Sequence, residues 1–461
     1  MSAPYLLKQT VLVVLMSVVG TATVHSAQTS GTKKTLPNIV LILADDQGWN
    51  ALSVPADPDI PDSGSRYFHT PNLEQLAMEG SRFSWAYSGG PTCSPSRHSI
   101  QFGRTPASLG IVGYSSKAKT VKADNRNSLA NVLKRARPDY ITAHFGKWHM
   151  IPSPEDLGFD VNDGPNGNKE GDSKNPDDPK LIYTLTRKVE GFIADQVKAG
   201  KPFFLQVSHY ANHLTYQALP QTAGKYENER AGLKTKYHHD ALWAAMNENL
   251  DDSVGTILAK LKELGIEDNT YVIYTADNGY ENKASAKLPA HERGYYKAFP
   301  QRAHKYTLNE GGIRVPMIIR GPGIEPNTVC RTPVAGLDLL PTILDFTGVG
   351  DQVPESVEGG SLLPMLKGRT QVKRNIPGFV FRYSKLWQRD VAIVQGQYKL
   401  LMNADTRMMY LWDLSNDIGE ERNLIKEYPE VAERMRRTMV DYFHGVDCDA
   451  MDAKNKSKKK K

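Results

Sequence analysis

The sequence is poor in cysteine and contains no hydrophobic run long enough to cross a membrane. Three cysteines among 461 residues exclude a small scaffold held together by disulfide bonds. The most apolar segment, Val11–Val19, is much shorter than the roughly 20 residues that a membrane-spanning helix needs. We therefore expect no stable insertion of the chain into a membrane.

Outside its C-terminal tail, the sequence also lacks an excess of charge of either sign. There are 57 basic and 51 acidic residues, but six of the lysines lie within residues 454–461. The remaining 51 basic residues equal the acidic ones in number. A basic surface for nucleic acid is therefore not expected, and residues 447–461 are predicted to be a disordered, lysine-rich tail.

The N-terminal segment has the pattern of a secretory signal peptide. Lys8 precedes the apolar run Val11–Val19, and small and polar residues follow it up to Ala27. This order is typical of a segment that is removed after export. We predict that residues 1–27 are a signal peptide and that the mature protein is periplasmic or secreted.

The sequence then alternates between apolar runs and helical patterns. Pro37–Ala44 is almost entirely apolar, as expected for a strand that is buried on both faces of a parallel sheet. Similar runs occur at Tyr140–Phe145, Pro202–Ser208, Thr270–Ala276 and Val315–Arg320. Helical patterns separate these runs at Asn72–Glu79, Ser128–Ala136, Leu181–Lys198 and Tyr237–Leu264. The alternation predicts an α/β fold, with helices on both faces of the sheet, over residues 36–370.

The pattern changes after about residue 370 and is interrupted by two long polar segments. Short strands are predicted at Gly378–Tyr383, Val391–Val394, Tyr398–Met402 and Met409–Leu414, followed by a helix at Pro429–Phe443. Residues 371–446 are therefore predicted to form a smaller α+β subdomain. Residues 160–180 and 279–304 lack periodicity and are predicted to be surface loops, either functional or inert.

Two predicted strands end in side chains that suit a hard cation. Asp45 and Asp46 follow the first strand, and Asp277 and Asn278 follow Thr270–Ala276. Ligands in open α/β sheets bind just beyond the carboxyl ends of the strands. An isolated Asp-Asp pair is more often a helix cap or a turn, but two strand ends with oxygen ligands favour a site for Mg²⁺ or Ca²⁺.

The segment Cys93–Arg97 (CSPSR) predicts a reactive group at the start of a helix. A proline two residues after Cys93 suits the first turn, where free N–H groups and the helix dipole attract anions. Arg97 lies one helical turn later and is predicted to reach back toward Cys93. The alternative is a buried structural thiol with a surface arginine.

These residues resemble the C-x-P-S-R signature of type I sulfatases, which belong to the alkaline phosphatase superfamily. Further segments are similar to the family in the same order: Pro37–Gly48 (PNIVLILADDQG), His69–Arg97, Gly146–His149 (GKWH), Asp277–Gly279 (DNG), Lys305–Pro316 (KYTLNEGGIRVP) and Tyr398–Leu424. The resemblance implies a large, mixed, mostly parallel sheet between helices, and an enzyme that hydrolyses sulfate esters. It also implies that a formylglycine-generating enzyme converts Cys93 to formylglycine.

The resemblance implies one divalent cation, usually calcium. Its ligands would be Asp45, Asp46, Asp277, Asn278 and an oxygen of the modified Cys93. Since three of these groups carry negative charge, we expect them to repel one another strongly when the cation is removed.

The resemblance also implies a role for each of five further side chains. Arg97 would hold the modified residue 93, and Lys147 and Lys305 would bind the sulfate group as fixed cations. His149 would take a proton from the hydroxyl that remains on the sulfated intermediate. His213 would assist the leaving alcohol, although His209 lies nearby in the same segment.

The sequence therefore predicts an exported sulfatase that acts on a sulfated carbohydrate. Two alternatives stay open: a phosphonate or phosphate ester hydrolase of the same superfamily, and an inactive protein that binds sulfated glycans. The loop 279–304, with Arg293 and Lys297, is expected to border the substrate pocket. Cys330 and Cys448 are the remaining candidates for a disulfide bond, and two free thiols are expected.

Overall fold

The structure is a computed structural model that describes residues 35–111, 121–232, 241–281, 301–369, 371–385 and 388–448. The predicted signal peptide, residues 282–300 of the predicted loop and residues 449–461 of the tail lie outside these ranges.

The centre of the molecule is a mixed sheet whose strands are buried. The strands up to residue 335 are β1 (Asn38–Ala44), β2 (Ser81–Phe83), β3 (Ala86–Tyr87), β4 (Ile141–Gly146), β5 (Val161–Asn162), β6 (Phe203–Ser208), β7 (Thr270–Ala276), β8 (Met317–Arg320), β9 (Thr328–Cys330) and β10 (Val334–Ala335). Eight of them form the sheet in the order β5-β4-β6-β1-β7-β8-β2-β9, while β3 pairs separately with β10. Only β8 runs antiparallel to its neighbours in this sheet. The predicted mixed, mostly parallel sheet is confirmed.

Helices cover both faces of this sheet. The α-helices of the described residues are α1 (Pro71–Glu79), α2 (Cys93–Phe102), α3 (Leu129–Ala136), α4 (Ile182–Ala199), α5 (Pro220–Gly232), α6 (Ala241–Glu263), α7 (Glu310–Ile313), α8 (Leu339–Phe346), α9 (Leu363–Leu366) and α10 (Pro429–Gly445), of which α7 and α10 pack on the C-terminal sheet instead. Alternate residues of β1 divide the core, because successive strand side chains point to opposite faces. Val40 and Ile42 pack in one core cluster with α1, α4 and α6, whereas Leu41 and Leu43 pack in the other with α2, α3 and α8.

The predicted helices are present, with small shifts at their ends. The predicted start of the helix at Tyr237 lies outside the described residues, and α6 is described from Ala241. The sequence interpretation missed α5, whose mostly polar residues (PQTAGKYENERAG) show no helical pattern of apolar positions. It also missed α8, because a short, mostly apolar run (LLPTILDF) cannot be told from a buried strand by its pattern alone. Among the described helices, none combines the length and the hydropathy required to cross a bilayer.

The C-terminal part contains the predicted antiparallel sheet. Its strands are β11 (Phe379–Lys385), β12 (Gln388–Gln395), β13 (Tyr398–Asn403) and β14 (Met409–Asp413), paired in chain order. One face packs on α10, and the other packs on Tyr87, Leu308 and Ile313 of the preceding part of the chain. The α+β subdomain is confirmed, while its boundary at residues 370 and 371 stays a prediction.

Candidate active site

The predicted site residues meet where four neighbouring parallel strands end. Asp45 follows β1, Lys147 follows β4, and Asp277 follows β7. Ala44 and Ala276, the last residues of β1 and β7, lie opposite each other in the ladder. The segment after β6 continues along the same edge, since the N–H of Asp45 donates to the carbonyl of Ala211 (2.9 Å). The sheet therefore brings together residues that are more than 200 positions apart in the sequence.

Cys93 lies at the centre of the acidic cluster. Side-chain atoms of Asp45, Asp46, Cys93 and Asp277 all lie within 4.8 Å of one another. Cys93 is the first residue of α2, so the predicted helix start is correct, although Pro95 occupies the third position instead of the first. The Sγ atom is 3.4 Å from Asp45 Oδ1 and 3.9 Å from Asp46 Oδ1. Residue 93 thus faces both the acidic side chains and the positive end of a helix dipole.

Each of the three carboxylates is paired with one cationic side chain. Lys147 contacts Asp45, Lys305 Nζ lies 2.8 Å from Asp46 Oδ2, and Arg97 Nη2 lies 2.8 Å from Asp277 Oδ2. All six side chains are at most 1% exposed. The expectation of a strongly repulsive cluster was therefore wrong, because the chain itself balances the three negative charges.

Arg97 is bound by two of the segments that meet at the site. Its Nε donates to Asp277 Oδ2 (2.9 Å), and its Nη1 donates to the carbonyl of Lys147 (2.5 Å). The guanidinium thus joins the end of β7 to the segment after β4. Burial disfavours its charge, but the attraction of Asp277 and Asp45 raises the pKa of Arg97.

The ion pairs keep the buried acids and bases charged. Burial opposes the ionisation of Asp45, but the neighbouring cationic groups, of which Lys147 acts most strongly, together lower the pKa of Asp45 to about 2. Burial also opposes the charge of Lys305, but the nearby Asp46 raises the pKa of this lysine well above its usual value. Both lysines are therefore cationic at neutral pH.

The environment of Cys93 disfavours the thiolate. Burial, together with the negative charges of Asp277 and Asp45, raises the pKa of Cys93 well above its ordinary value. Since the thiolate is the nucleophilic form of cysteine, the unmodified side chain would be a weak nucleophile at neutral pH.

The acidic residues and Asn278 fit a hard cation. Asn278 Nδ2 donates to Asp46 Oδ1 (2.7 Å) and to the carbonyl of Gly279 (2.8 Å). The Oδ1 atom of Asn278 is buried and has no hydrogen-bond partner among the described residues. A buried amide oxygen beside three carboxylates is the kind of donor set that Ca²⁺ and Mg²⁺ prefer.

The structure distinguishes between the two histidines after β6. His213 Nδ1 lies 2.5 Å from the carbonyl of Leu214, so this nitrogen carries a proton, and Nε2 lies 3.9 Å from Asp46 Oδ2. His209 instead lies fully buried, with its Nε2 3.5 Å from Ser253 Oγ on α6. The structure therefore brings His213 to the cluster, whereas His209 contacts the neighbouring helix.

His149 lies just beyond Lys147 and is only partly exposed. Burial, reinforced by the charges of Lys147 and Arg97, lowers the pKa of His149 to about 3. The imidazole is therefore neutral at ordinary pH, and a neutral imidazole is able to accept a proton.

One acidic residue of the site was missed by the sequence interpretation. Glu281 Oε2 lies 3.7 Å from Lys305 Nζ, and Glu281 Oε1 accepts a hydrogen bond from Tyr306 (3.4 Å). Its side chain also lies within reach of His213 and Asp46. Its position three residues after Asn278 was the available signal. The predicted contribution of Arg293 and Lys297 concerns residues outside the described part of the chain.

The cysteines outside the site are not bridged. Cys330 lies in β9 and Cys448 follows α10, and both are free, as expected.

The chain matches known families and proteins over most of its length. Residues 37–349 match the sulfatase family, and residues 297–444 match the family described as N-sulphoglucosamine sulphohydrolase, C-terminal. The N-acetylgalactosamine-6-sulfatase of Mus musculus is 31% identical over 426 residues, which are 83% of this chain and 74% of that protein. A sulfatase of Formosa agariphila is 28% identical and covers 90% of this chain and 89% of its own length.

Solved structures share the fold. The structure of Ps i-CgsB in complex with k-i-k-neocarrahexaose superposes with a TM-score of 0.72 at 25% identity, over 88% of this chain and 93% of that one. The predicted family is thereby confirmed. The chain belongs to the sulfatase family of the alkaline phosphatase superfamily and is a sulfuric ester hydrolase.

Proposed function

We propose that this protein is an exported sulfatase that removes sulfate from a sulfated carbohydrate, using formylglycine at residue 93 and one calcium ion. The observation that carries the proposal is the convergence of Cys93, three carboxylates and three buried cations within one cluster. Export rests on the pattern of residues 1–27. Maturation would require a formylglycine-generating enzyme as partner.

The carbohydrate substrate is supported by the relatives. One relative is an N-acetylgalactosamine-6-sulfatase, and the similar protein Ps i-CgsB was solved in complex with k-i-k-neocarrahexaose. Both names refer to sugars. A sulfated polysaccharide or oligosaccharide is therefore the proposed substrate class.

The two groups that the chain would acquire supply chemistry that its side chains lack. When bound, a divalent cation supplies Lewis acidity toward a sulfate oxygen. Formylglycine, as a hydrated aldehyde, supplies a hydroxyl nucleophile and a second hydroxyl that allows sulfate to leave. The metal ion would be held by Asp45, Asp46, Asp277 and Asn278. Because each of the three carboxylates is already paired with a lysine or arginine side chain, they would not neutralise the charge of the metal ion, which would therefore attract the sulfate.

The remaining side chains would bind the substrate and move protons. Lys147, whose Nζ lies 3.4 Å from Cys93 Sγ, and Lys305, which is paired with Asp46, are fixed cations and would bind sulfate oxygens. His149, which is neutral at ordinary pH, would accept the proton whose removal releases sulfate from residue 93. His213 would assist the departure of the sugar hydroxyl from a position beside Asp46.

The test compares turnover on four substrates: an aryl sulfate, an aryl phosphonate, a set of sulfated oligosaccharides and their desulfated forms. We expect sulfate release from the aryl sulfate and from at least one oligosaccharide, and none from a Cys93→Ala control. Faster turnover of the phosphonate would favour a phosphonate hydrolase. Binding of sulfated glycans without any turnover would show an inactive binding protein.

A further inference from the structure

The segment that carries Lys147 and His149 has an unusual backbone. Gly146 has φ 90° and His149 has φ 53°, both in the left-handed region. A side chain at residue 146 is excluded, since its Cβ would lie 2.1 Å from the carbonyl oxygen of Ser208. A histidine with positive φ is uncommon and persists only when its surroundings fix it. The segment begins at the last residue of β4, so sheet pairing does not hold it throughout.

Two side chains of the loop after β5 bind this segment. Asp163 Oδ2 accepts a hydrogen bond from the N–H of Gly146 (2.9 Å). Asn166 Nδ2 donates to the carbonyl of Gly146 (2.9 Å), and Asn166 Oδ1 accepts from the N–H of Trp148 (2.8 Å). The main-chain carbonyl of Asn166 accepts from the N–H of His149 (2.8 Å). Residues 163–166 are called the clamp below.

The clamp and β6 together bind every N–H group from Gly146 to His149. The N–H of Lys147 donates to the carbonyl of Ser208 at the end of β6 (2.8 Å). The N–H groups of Gly146, Trp148 and His149 donate to the clamp. The clamp therefore binds the segment on the side away from β6, where it continues the edge strand β5.

The clamp is itself held in place. Asp163 Oδ1 lies 2.7 Å from Nζ of Lys188 on α4, and the preceding residues 161 and 162 form β5, which pairs with β4. The chain then passes close to His149, as a Cβ built at Gly167 shows: it would lie 3.8 Å from His149 Cδ2.

We propose that Asp163 and Asn166 are positioning residues of the sulfatase reaction, which fix the backbone that presents Lys147 and His149 to residue 93. The inference rests on the proposed roles of these two side chains. Lys147 Nζ lies 3.4 Å from Cys93 Sγ, and a displacement of about 1 Å in a reacting geometry costs roughly 10²-fold in rate. The loop 160–180 is therefore functional in its first part, where the sequence left the question open.

The test measures kcat and KM for a small aryl sulfate with the calcium-loaded, formylglycine-containing enzyme. Asn166→Ala should lower kcat about 10- to 100-fold and change KM less than about threefold, because the clamp does not touch the substrate. Asn175→Ala is the matched control, since Asn175 is exposed in the later part of the same loop, where its Oδ1 accepts from the N–H of Asp177 (3.1 Å). It should keep kcat within about twofold. An equal loss in both variants would overturn the proposal.

A double-mutant cycle separates positioning from general destabilisation. If Asn166 acts through His149, Asn166→Ala should cost less than about threefold in a His149→Ala background, whereas a purely structural effect would be the same in both backgrounds. Asn166→Asp, which keeps the size and the acceptor toward Trp148, replaces Asn166→Ala if that variant does not fold. Its kcat should fall at least fivefold, because a carboxylate cannot donate to the carbonyl of Gly146.

The outcomes also distinguish this inference from the proposed function. If the wild-type enzyme releases no sulfate from any substrate, the proposed function fails. If the wild-type enzyme is active and the Asn166 variants keep its kcat, only the positioning role fails.

Discussion

The Nζ atom of Lys147 lies 3.4 Å from Sγ of Cys93 while it forms a buried ion pair with Asp45. One side chain thus connects the end of β4, the end of β1 and the start of α2. Burial opposes the charge of this lysine, but the negative groups around it, of which Asp45 acts most strongly, together raise the pKa of Lys147. The ammonium group therefore stays charged next to the reactive residue.

We expect the position of this charge to matter as well as its presence. Lys147→Arg keeps the positive charge but replaces a compact ammonium group with a planar fork, and should lower kcat/KM for an aryl sulfate more than about 10-fold. Lys147→Met should lower it by about 10²- to 10³-fold. The control Lys134→Met, which removes a surface ion pair with Asp160, should stay within about twofold. Wild-type activity of Lys147→Met would exclude a role in sulfate binding.

The active protein should carry no thiol at residue 93. Trypsin is expected to release Phe83–Arg97 as one peptide, since it contains no internal lysine or arginine. Its mass should show an aldehyde oxygen in place of sulfur, in a fraction that follows specific activity across preparations. Cys93→Ser, expressed in a host that modifies only cysteine, should keep the fold and lose nearly all turnover. A fully active preparation with an alkylatable Cys93 thiol would contradict the mechanism.

Calcium removal should abolish turnover without unfolding the protein. The three carboxylates retain their cationic partners when the cation is absent, so the chelated enzyme should keep cooperative thermal unfolding and lose only the stabilisation due to binding. Asn278→Leu removes one neutral oxygen ligand and should raise the calcium concentration for half-maximal activity at least 10-fold. Full activity after exhaustive chelation, with no metal found by elemental analysis, would exclude a metal-dependent reaction.

A second buried ion network should stabilise the contact with the C-terminal sheet. Lys399 Nζ on β13 lies 2.9 Å from Glu310 Oε1 and 2.8 Å from Glu420 Oε1, and all three side chains are fully buried. Lys399→Met leaves two buried carboxylates without this cation and should lower the free energy of unfolding by about 3–5 kcal/mol. Lys399→Met combined with Glu420→Gln should recover part of the loss, since one negative charge is removed. Lys225→Met, in a more exposed pair with Glu248, should cost less than about 1 kcal/mol.

Acid should destabilise the protein in part through His144. Burial, together with the charge of Arg97, lowers the pKa of His144 to about 3, below the usual value of about 6.5. Below pH 6.5 the unfolded chain therefore binds a proton that the folded chain does not, and stability falls as the pH falls. His144→Gln should reduce this dependence by about 1.4 kcal/mol per pH unit between pH 6.5 and pH 4.5. Thermal unfolding at several pH values measures this pH dependence of stability. The control is His444→Gln, at an exposed position of α10.

The sequence contains the local features of this fold. The apolar runs that became β1, β4, β6 and β7 are visible because strands buried on both faces are uniformly apolar. The helix that begins at Cys93 is visible because capping and proline placement are local. Segments without such a local pattern were missed, as for α5, whose mostly polar residues show no helical pattern of apolar positions.

The candidate residues could also be chosen from the sequence, since the motifs Asp45-Asp46, Cys93–Arg97 and Asp277-Asn278 combine unusual residue types with the ends of predicted elements. Their partners could not be chosen, because ion pairs join residues that are far apart along the chain. Arg97 binds Asp277, and Lys305 binds Asp46. Neither the periodicity nor the spacing of residues along the sequence indicates which of them form ion pairs.

By itself, the sequence determined the family, the main strands and helices in their order, and the candidate residues of the site other than Glu281. Only the tertiary structure decided that His213 and not His209 faces the cluster, that the three carboxylates are balanced by three cations, and that Asn166 binds the segment of Lys147. The physical reason is that a side chain's neighbours depend on strand order and crossover connections. Residues 146 and 166 become neighbours only because the chain leaves β4 and returns through β5 beside it.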